Sequence, residues 1–120
     1  MSLFDQIGAE KLRAVIEDFY DRVFADVMIG YMFAGRDKQR LIDKEWELTA
    51  RLLGGGQAYT GKGMREAHSA LQIFTGQFDR RLQLLRNVLR DHRVDPEVAQ
   101  AWIDHQLALR DDIVAGDCAV

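Results

Sequence analysis

One histidine of this chain stands where it could carry a ligand. His68 lies in the phrase Met64-Arg65-Glu66-Ala67-His68, with Gly54, Gly55, Gly56, Gly61 and Gly63 just upstream and apolar residues just downstream. Glycine backbone has no Cβ to hold a neighbour away, so a histidine on a short element here suits close approach to a bulky planar group. The chain has only three histidines. His92, in Arg90-Asp91-His92-Arg93, reads as a cation at a helix C-terminus, where it suits the macrodipole. His105, just beyond Trp102, reads as a core-edge side chain. Two further residues interrupt apolar patterns. Tyr20 falls on an apolar helical stripe, where its hydroxyl needs a partner. Glu45 falls between Leu41 and Leu48, and an unpaired carboxylate is expensive to bury.

The elements that must position these residues are helices. The chain has one proline and few β-branched runs. Leu12, Val15, Ile16, Phe19, Tyr20, Val23 and Phe24 recur at helical spacing and give one buried face. A second helix is predicted from Asp37, a good N-cap, to Leu53. It carries two apolar lines, Leu41, Leu48 and Leu52 on one and Ile42, Trp46 and Leu53 on the other, so it should pack on both sides. Gly54-Gly55-Gly56 ends it. Residues 57–74 are predicted to hold only a short helical turn around His68, in a long loop of the kind that is usually functional. Thr75 is predicted to cap the next helix, with Phe78, Leu82, Leu85 and Leu89 as its core line. Asp95-Pro96 starts the last helix, predicted to run unbroken to about Val114 with Val98, Trp102, Leu109 and Ile113 buried.

A chain of 120 residues makes one all-α domain, 1–120, with a core of its own. The hydrophobic fraction of 48% and charged fraction of 29% are ordinary for a globular protein. A net charge of −3 without a long basic run argues against nucleic acid as partner. No apolar run reaches membrane-spanning length, and the first residues, MSLFDQIGAEKL, form neither a signal nor a transit sequence. Cys118 is the single cysteine, which excludes an internal disulfide and suits a reducing, cytoplasmic setting.

Read together and in order, the local phrases resemble one family. Asp18-Phe19-Tyr20-Asp21-Arg22-Val23, Met32-Phe33-Ala34-Gly35, Leu53-Gly54-Gly55, Tyr59-Thr60-Gly61, Arg65-Glu66-Ala67-His68 and Phe78-Asp79 look like a truncated haemoglobin of the first group. The resemblance extends from Phe4-Asp5-Gln6-Ile7-Gly8 to Arg110-Asp111-Asp112. It implies a two-over-two helical sandwich around a b-type haem, with His68 as the proximal iron ligand. It implies that Phe33 packs on the haem face and that Leu41, Leu48, Leu53, Met64, Ile73 and Phe78 line the pocket, with Tyr59 beside the cofactor. Tyr20 is then the residue that donates a hydrogen bond to the bound gas. Read without the family, a buried tyrosine bonds a backbone carbonyl, and the Leu/Phe/Met stripes are plain core.

Glu45 departs from the family, which commonly has glutamine there. An ionised glutamate only accepts hydrogen bonds, so it would draw the Tyr20 hydroxyl away from the ligand; a protonated one would donate. The alternative is that Glu45 reaches solvent or pairs with Lys44 or Arg40. Lys44 poses a second question, because in some members of the family the equivalent lysine ligates the iron. It does so only as the free amine; otherwise it bonds a haem propionate or stays in solvent.

The function these readings imply is reversible binding of dioxygen, nitric oxide and carbon monoxide, with oxygen transport or nitric oxide dioxygenation to nitrate as roles. The sequence carries no flavin or nicotinamide motif, so dioxygenase turnover would need an external reductase. A monomer or weak dimer is expected. Two rival readings stand beside it. One is a six-coordinate redox, electron-transfer or sensor globin with Lys44 as distal ligand, and the other a haem-free helical interaction domain.

Overall fold

The computed structural model describes residues 1–61 and 73–114. Met64, His68 and the turn expected around them lie outside the described residues, as does Cys118. The regular elements, in order, are α1 (Leu3–Ile7), α2 (Ala9–Ala25), a 3₁₀ turn (Gly30–Phe33), α3 (Lys38–Leu52), α4 (Thr75–Asp91), α5 (Pro96–Ala108) and α6 (Arg110–Ile113). α2 packs on α3 and α4 on α5, while α2 also meets α4 and α3 meets α5. Two helix pairs are thereby stacked on a shared core.

The α2 stripe buries Leu12, Val15, Ile16, Phe19, Tyr20 and Val23, and Phe24 packs partly buried at its end. Asp26 follows, and its carboxylate accepts from the N–H groups of Met28 and Ile29 at 3.0 and 3.1 Å. The same carboxylate takes the Arg80 guanidinium at 2.7 Å, tying this corner to α4. Gly30 is required here, because a Cβ would lie 2.7 Å from the Phe24 carbonyl oxygen. That close approach lays the 3₁₀ turn on the end of α2 and sets the Phe33 ring 5.5 Å from Phe24.

Helix ends follow the local chemistry in most places. Asp37 caps α3 by accepting from the Arg40 N–H at 3.1 Å. Asp95 caps α5 through the Glu97 N–H, with Pro96 at its first position. Gly54 and Gly56 take φ of +91° and +79° after α3, a region that L side chains avoid. At α4 the expectation is corrected. Phe74, not Thr75, is the N-cap: its carbonyl accepts the N–H groups of Gln77 and Phe78, and the Gln77 side chain accepts the Phe74 N–H at 2.9 Å. The last helix is also not continuous. It resets at Leu109, whose N–H is shared between the carbonyls of His105 and Gln106, and α6 restarts at Arg110. Val98 and Trp102 are fully buried, whereas Leu109 and Ile113, past the reset, are half-buried.

Candidate functional site

Among the described residues, the inner faces of these helices line a cavity of about 190 Å³. α2 contributes Tyr20, the 3₁₀ turn Met32 and Phe33, and α3 Leu41, Lys44, Glu45 and Leu48. Tyr59 comes from the glycine loop, Ile73 from just before α4, and Gln77, Phe78 and Arg81 from α4. Gln106, Leu109 and Ile113 close the C-terminal side, and Ile29 and Arg36 complete the lining. The expected residues Tyr20, Phe33, Leu41, Lys44, Glu45, Leu48, Tyr59, Ile73 and Phe78 are thus brought together. Leu53 is not among them: as the C-cap of α3 it is buried in the core, 2% exposed, with its carbonyl accepting the Phe4 N–H.

Tyr20 is 6% exposed, and its ring stands edge-on to Phe19 at 5.1 Å and to Phe24 at 6.5 Å. Those contacts fix where the hydroxyl points. Burial, reinforced by the negative charge of Glu45, pushes the Tyr20 hydroxyl up to about 12. It therefore keeps its proton at any physiological pH and remains a donor. The positive charge of Arg81 opposes that rise without overcoming it.

Glu45 neither reaches solvent nor pairs with Lys44 or Arg40. It is 7% exposed and accepts from Arg81 Nη2 at 3.4 Å. Arg81 Nη1 donates to Gln106 Oε1 at 2.6 Å, and the guanidinium lies 4.9 Å over the Phe19 ring. Burial opposes the charge on Arg81, but Tyr20 and Glu45 outweigh it and hold its pKa above the ordinary value. A carboxylate and a guanidinium thus cross the cavity from α3 to α4, each compensating the other's loss of water.

Lys44, one residue away, is turned to the glycine loop. Its Nζ donates to Thr60 Oγ1 at 2.5 Å and to Glu47 Oε2 at 3.5 Å. Glu47 in turn accepts from the Thr60 N–H at 2.8 Å and its hydroxyl at 2.6 Å. These hydrogen bonds from Thr60, with the charge of Lys44 beyond them, hold the Glu47 carboxyl below its usual range. The loop edge carrying Tyr59 and Thr60 is therefore fastened to α3.

Arg81 and Gln106 were not singled out in the sequence, although a signal was there. Arg81 stands at i+3 from Phe78 and i−4 from Leu85, on the core line of α4. Gln106 stands at i+4 from Trp102 and i−3 from Leu109. Each is a polar residue on an apolar face, the same anomaly that marked Glu45. The two described histidines lie elsewhere. His92 Nε2 is 2.7 Å from Asp18 Oδ2, and half-buried His105 is outside the cavity lining, its pKa lowered by burial against a smaller opposing effect of Glu45.

A flat apolar macrocycle bearing two carboxylates fits these walls. Phe33, Leu41, Leu48, Ile73 and Phe78 supply the apolar surface, and Arg36 and Lys44 supply positive charge. Known proteins point the same way. A profile of the bacterial-like globin family matches residues 2–114. A group 1 truncated hemoglobin of Mycolicibacterium paratuberculosis is 40% identical over 64% of this chain, a match that spans 57% of that protein's length. The group 1 truncated hemoglobin of Tetrahymena pyriformis is 28% identical over 75% of each chain. Among solved structures, the ferric truncated hemoglobin of that organism superposes with a TM-score of 0.84 at 24% identity, covering 95% of this chain and 98% of that one. The 2/2 hemoglobin of a Synechococcus species, with covalently attached heme, superposes with a TM-score of 0.88 at 22% identity over 95% and 98%. The helical sandwich, the apolar cavity between its layers and the match along nearly the whole chain agree: the chain belongs to the bacterial-like globin family, whose cofactor is haem.

Proposed function

We propose that the cavity binds haem b as a reversible site for dioxygen, nitric oxide and carbon monoxide. Haem supplies the iron at which a diatomic gas is held. The observation that carries the reading is Tyr20: a buried hydroxyl that keeps its proton, in the wall of an apolar cavity. A tyrosine hydroxyl in that wall would offer its proton to a bound gas, which acquires negative charge. A donor already in place costs no reorganisation when the ligand arrives.

On this reading His68 is the proximal ligand, its position taken from the family resemblance. Phe33, Leu41, Leu48, Ile73 and Phe78 exclude water from the macrocycle, and Tyr59 closes the loop side. Met64 is assigned to the same wall by resemblance. Arg36 and Lys44 neutralise the propionates. The bonds of Lys44 to Thr60 and Glu47 support a site open to exogenous gas rather than one closed by lysine. Turnover of nitric oxide to nitrate would draw its electrons from an external reductase.

Replacing Tyr20 with Phe tests the reading while keeping the ring contacts with Phe19 and Phe24. Loss of a hydrogen bond to a charged acceptor should speed dioxygen release by about tenfold or more. Stopped-flow displacement by carbon monoxide measures it, and an unchanged off-rate would remove Tyr20 from the ligand site.

A further inference from the structure

We propose that Arg81 and Glu45 set, in opposite senses, how tightly the ferric pocket holds small anions such as fluoride, azide and nitrite, whose charge lies against the Arg81 guanidinium. The inference rests on the haem reading above.

Arg81 projects from the core line of α4 into the cavity and keeps 22% of its side-chain surface accessible. Its position is fixed by the short bond to Gln106 and by the Phe19 ring beneath it. A guanidinium carries five N–H donors and no acceptor. The contact to Glu45 uses one carboxylate oxygen at 3.4 Å, long for a charge-assisted bond and far from a bidentate fork. Arg81 therefore retains donor capacity and incompletely neutralised charge at the cavity wall, next to the Tyr20 hydroxyl. Fixing a full positive charge in an apolar chamber is costly, and an anion entering the chamber recovers part of that cost.

Glu45 acts in the opposite sense. Its carboxylate repels an incoming anion and competes with it for Arg81. The couple is neutral as a whole, so each partner can be removed separately and the effects should differ in sign. Carbon monoxide, which brings no charge, should respond weakly to either change.

The test compares wild type, Arg81→Gln and Glu45→Gln, each loaded with haem, at fixed neutral pH. Ferric protein is titrated with fluoride and azide by absorption, and ferrous protein with carbon monoxide. Arg81→Gln should bind both anions about tenfold more weakly, and Glu45→Gln about tenfold more tightly, relative to carbon monoxide. Arg81→Lys, which keeps the charge, should stay nearer wild type than Arg81→Gln. A merely structural ion pair would move both neutral variants the same way, and that outcome overturns the proposal. So does unchanged anion affinity in variants that still bind haem and carbon monoxide. Should Arg81→Gln fail to hold haem, Glu45→Gln decides: tighter anion binding supports the proposal, and unchanged or weaker binding overturns it. Wild-type protein that binds no haem would instead refute the haem reading, and this inference with it.

Discussion

Lys44 and Glu45 are neighbours in the chain, yet a helix rotates successive side chains by about 100° and that rotation separates their roles. Glu45 enters the cavity and meets Arg81, whereas Lys44 lies along the loop edge with Thr60 and Glu47. A lysine ligates iron only as the free amine, and Lys44 would first have to leave Thr60 and Glu47. Lys44→Ala should therefore leave the ferrous absorption spectrum of the haem-loaded protein five-coordinate, as in wild type. Conversion from a six-coordinate to a five-coordinate spectrum on that substitution would show that Lys44 leaves Thr60 for the iron. The sequence made Glu45 visible because a carboxylate interrupts the leucine line of α3. Its partner was not legible: Arg81 is 36 residues away along the chain, and nothing local says which helix faces which.

At the scale of elements, the ends that sequence placed well are those set by a single residue's chemistry. Asp37 and Asp95 accept backbone N–H groups, Pro96 supplies a fixed φ, and Gly54 and Gly56 take positive φ. Thr75 misled because the cap of α4 is completed by a side chain two residues beyond it, Gln77 bonding back to Phe74. The reset at Leu109 has no breaker residue to announce it. Asp26 does the most to join elements, serving two N–H groups of its own corner and Arg80 of α4. Its carboxyl is only 5% exposed, and the bond from Arg80, which outweighs burial, holds its pKa below the usual carboxylate range. A depressed folded pKa means that this stabilisation is complete above the ordinary carboxylate pKa and is lost as pH falls through the folded value. Asp26→Asn should cost about 1 kcal/mol near pH 7, modest because Arg80 keeps 34% of its side-chain surface accessible to screening water. Urea unfolding of both proteins at several pH values should show that gap closing below about pH 4. A gap that stays constant with pH would mean that the carboxylate's charge is irrelevant to the corner.

Across the whole molecule, apolar periodicity was enough to give the number of long helices and most of their buried faces, because burying a stripe is what a helix of this kind does. It could not distinguish core from pocket. Leu41, Leu48 and Phe78 would read as ordinary core in any helical protein, and Leu53, expected at the pocket, is in fact core. What separates the two is the space left between the stacked pairs, a property of packing that no single stripe carries. The central claim is that this space is built for haem and a small ligand under Tyr20. The measurement that tests it most directly is the absorption spectrum of the protein titrated with haem, then reduced, then exposed to carbon monoxide. A saturable Soret band at one haem per chain, a five-coordinate ferrous form and sharp conversion by carbon monoxide are expected. No band beyond that of free haem would contradict the account and leave a helical domain that keeps the globin frame without its cofactor.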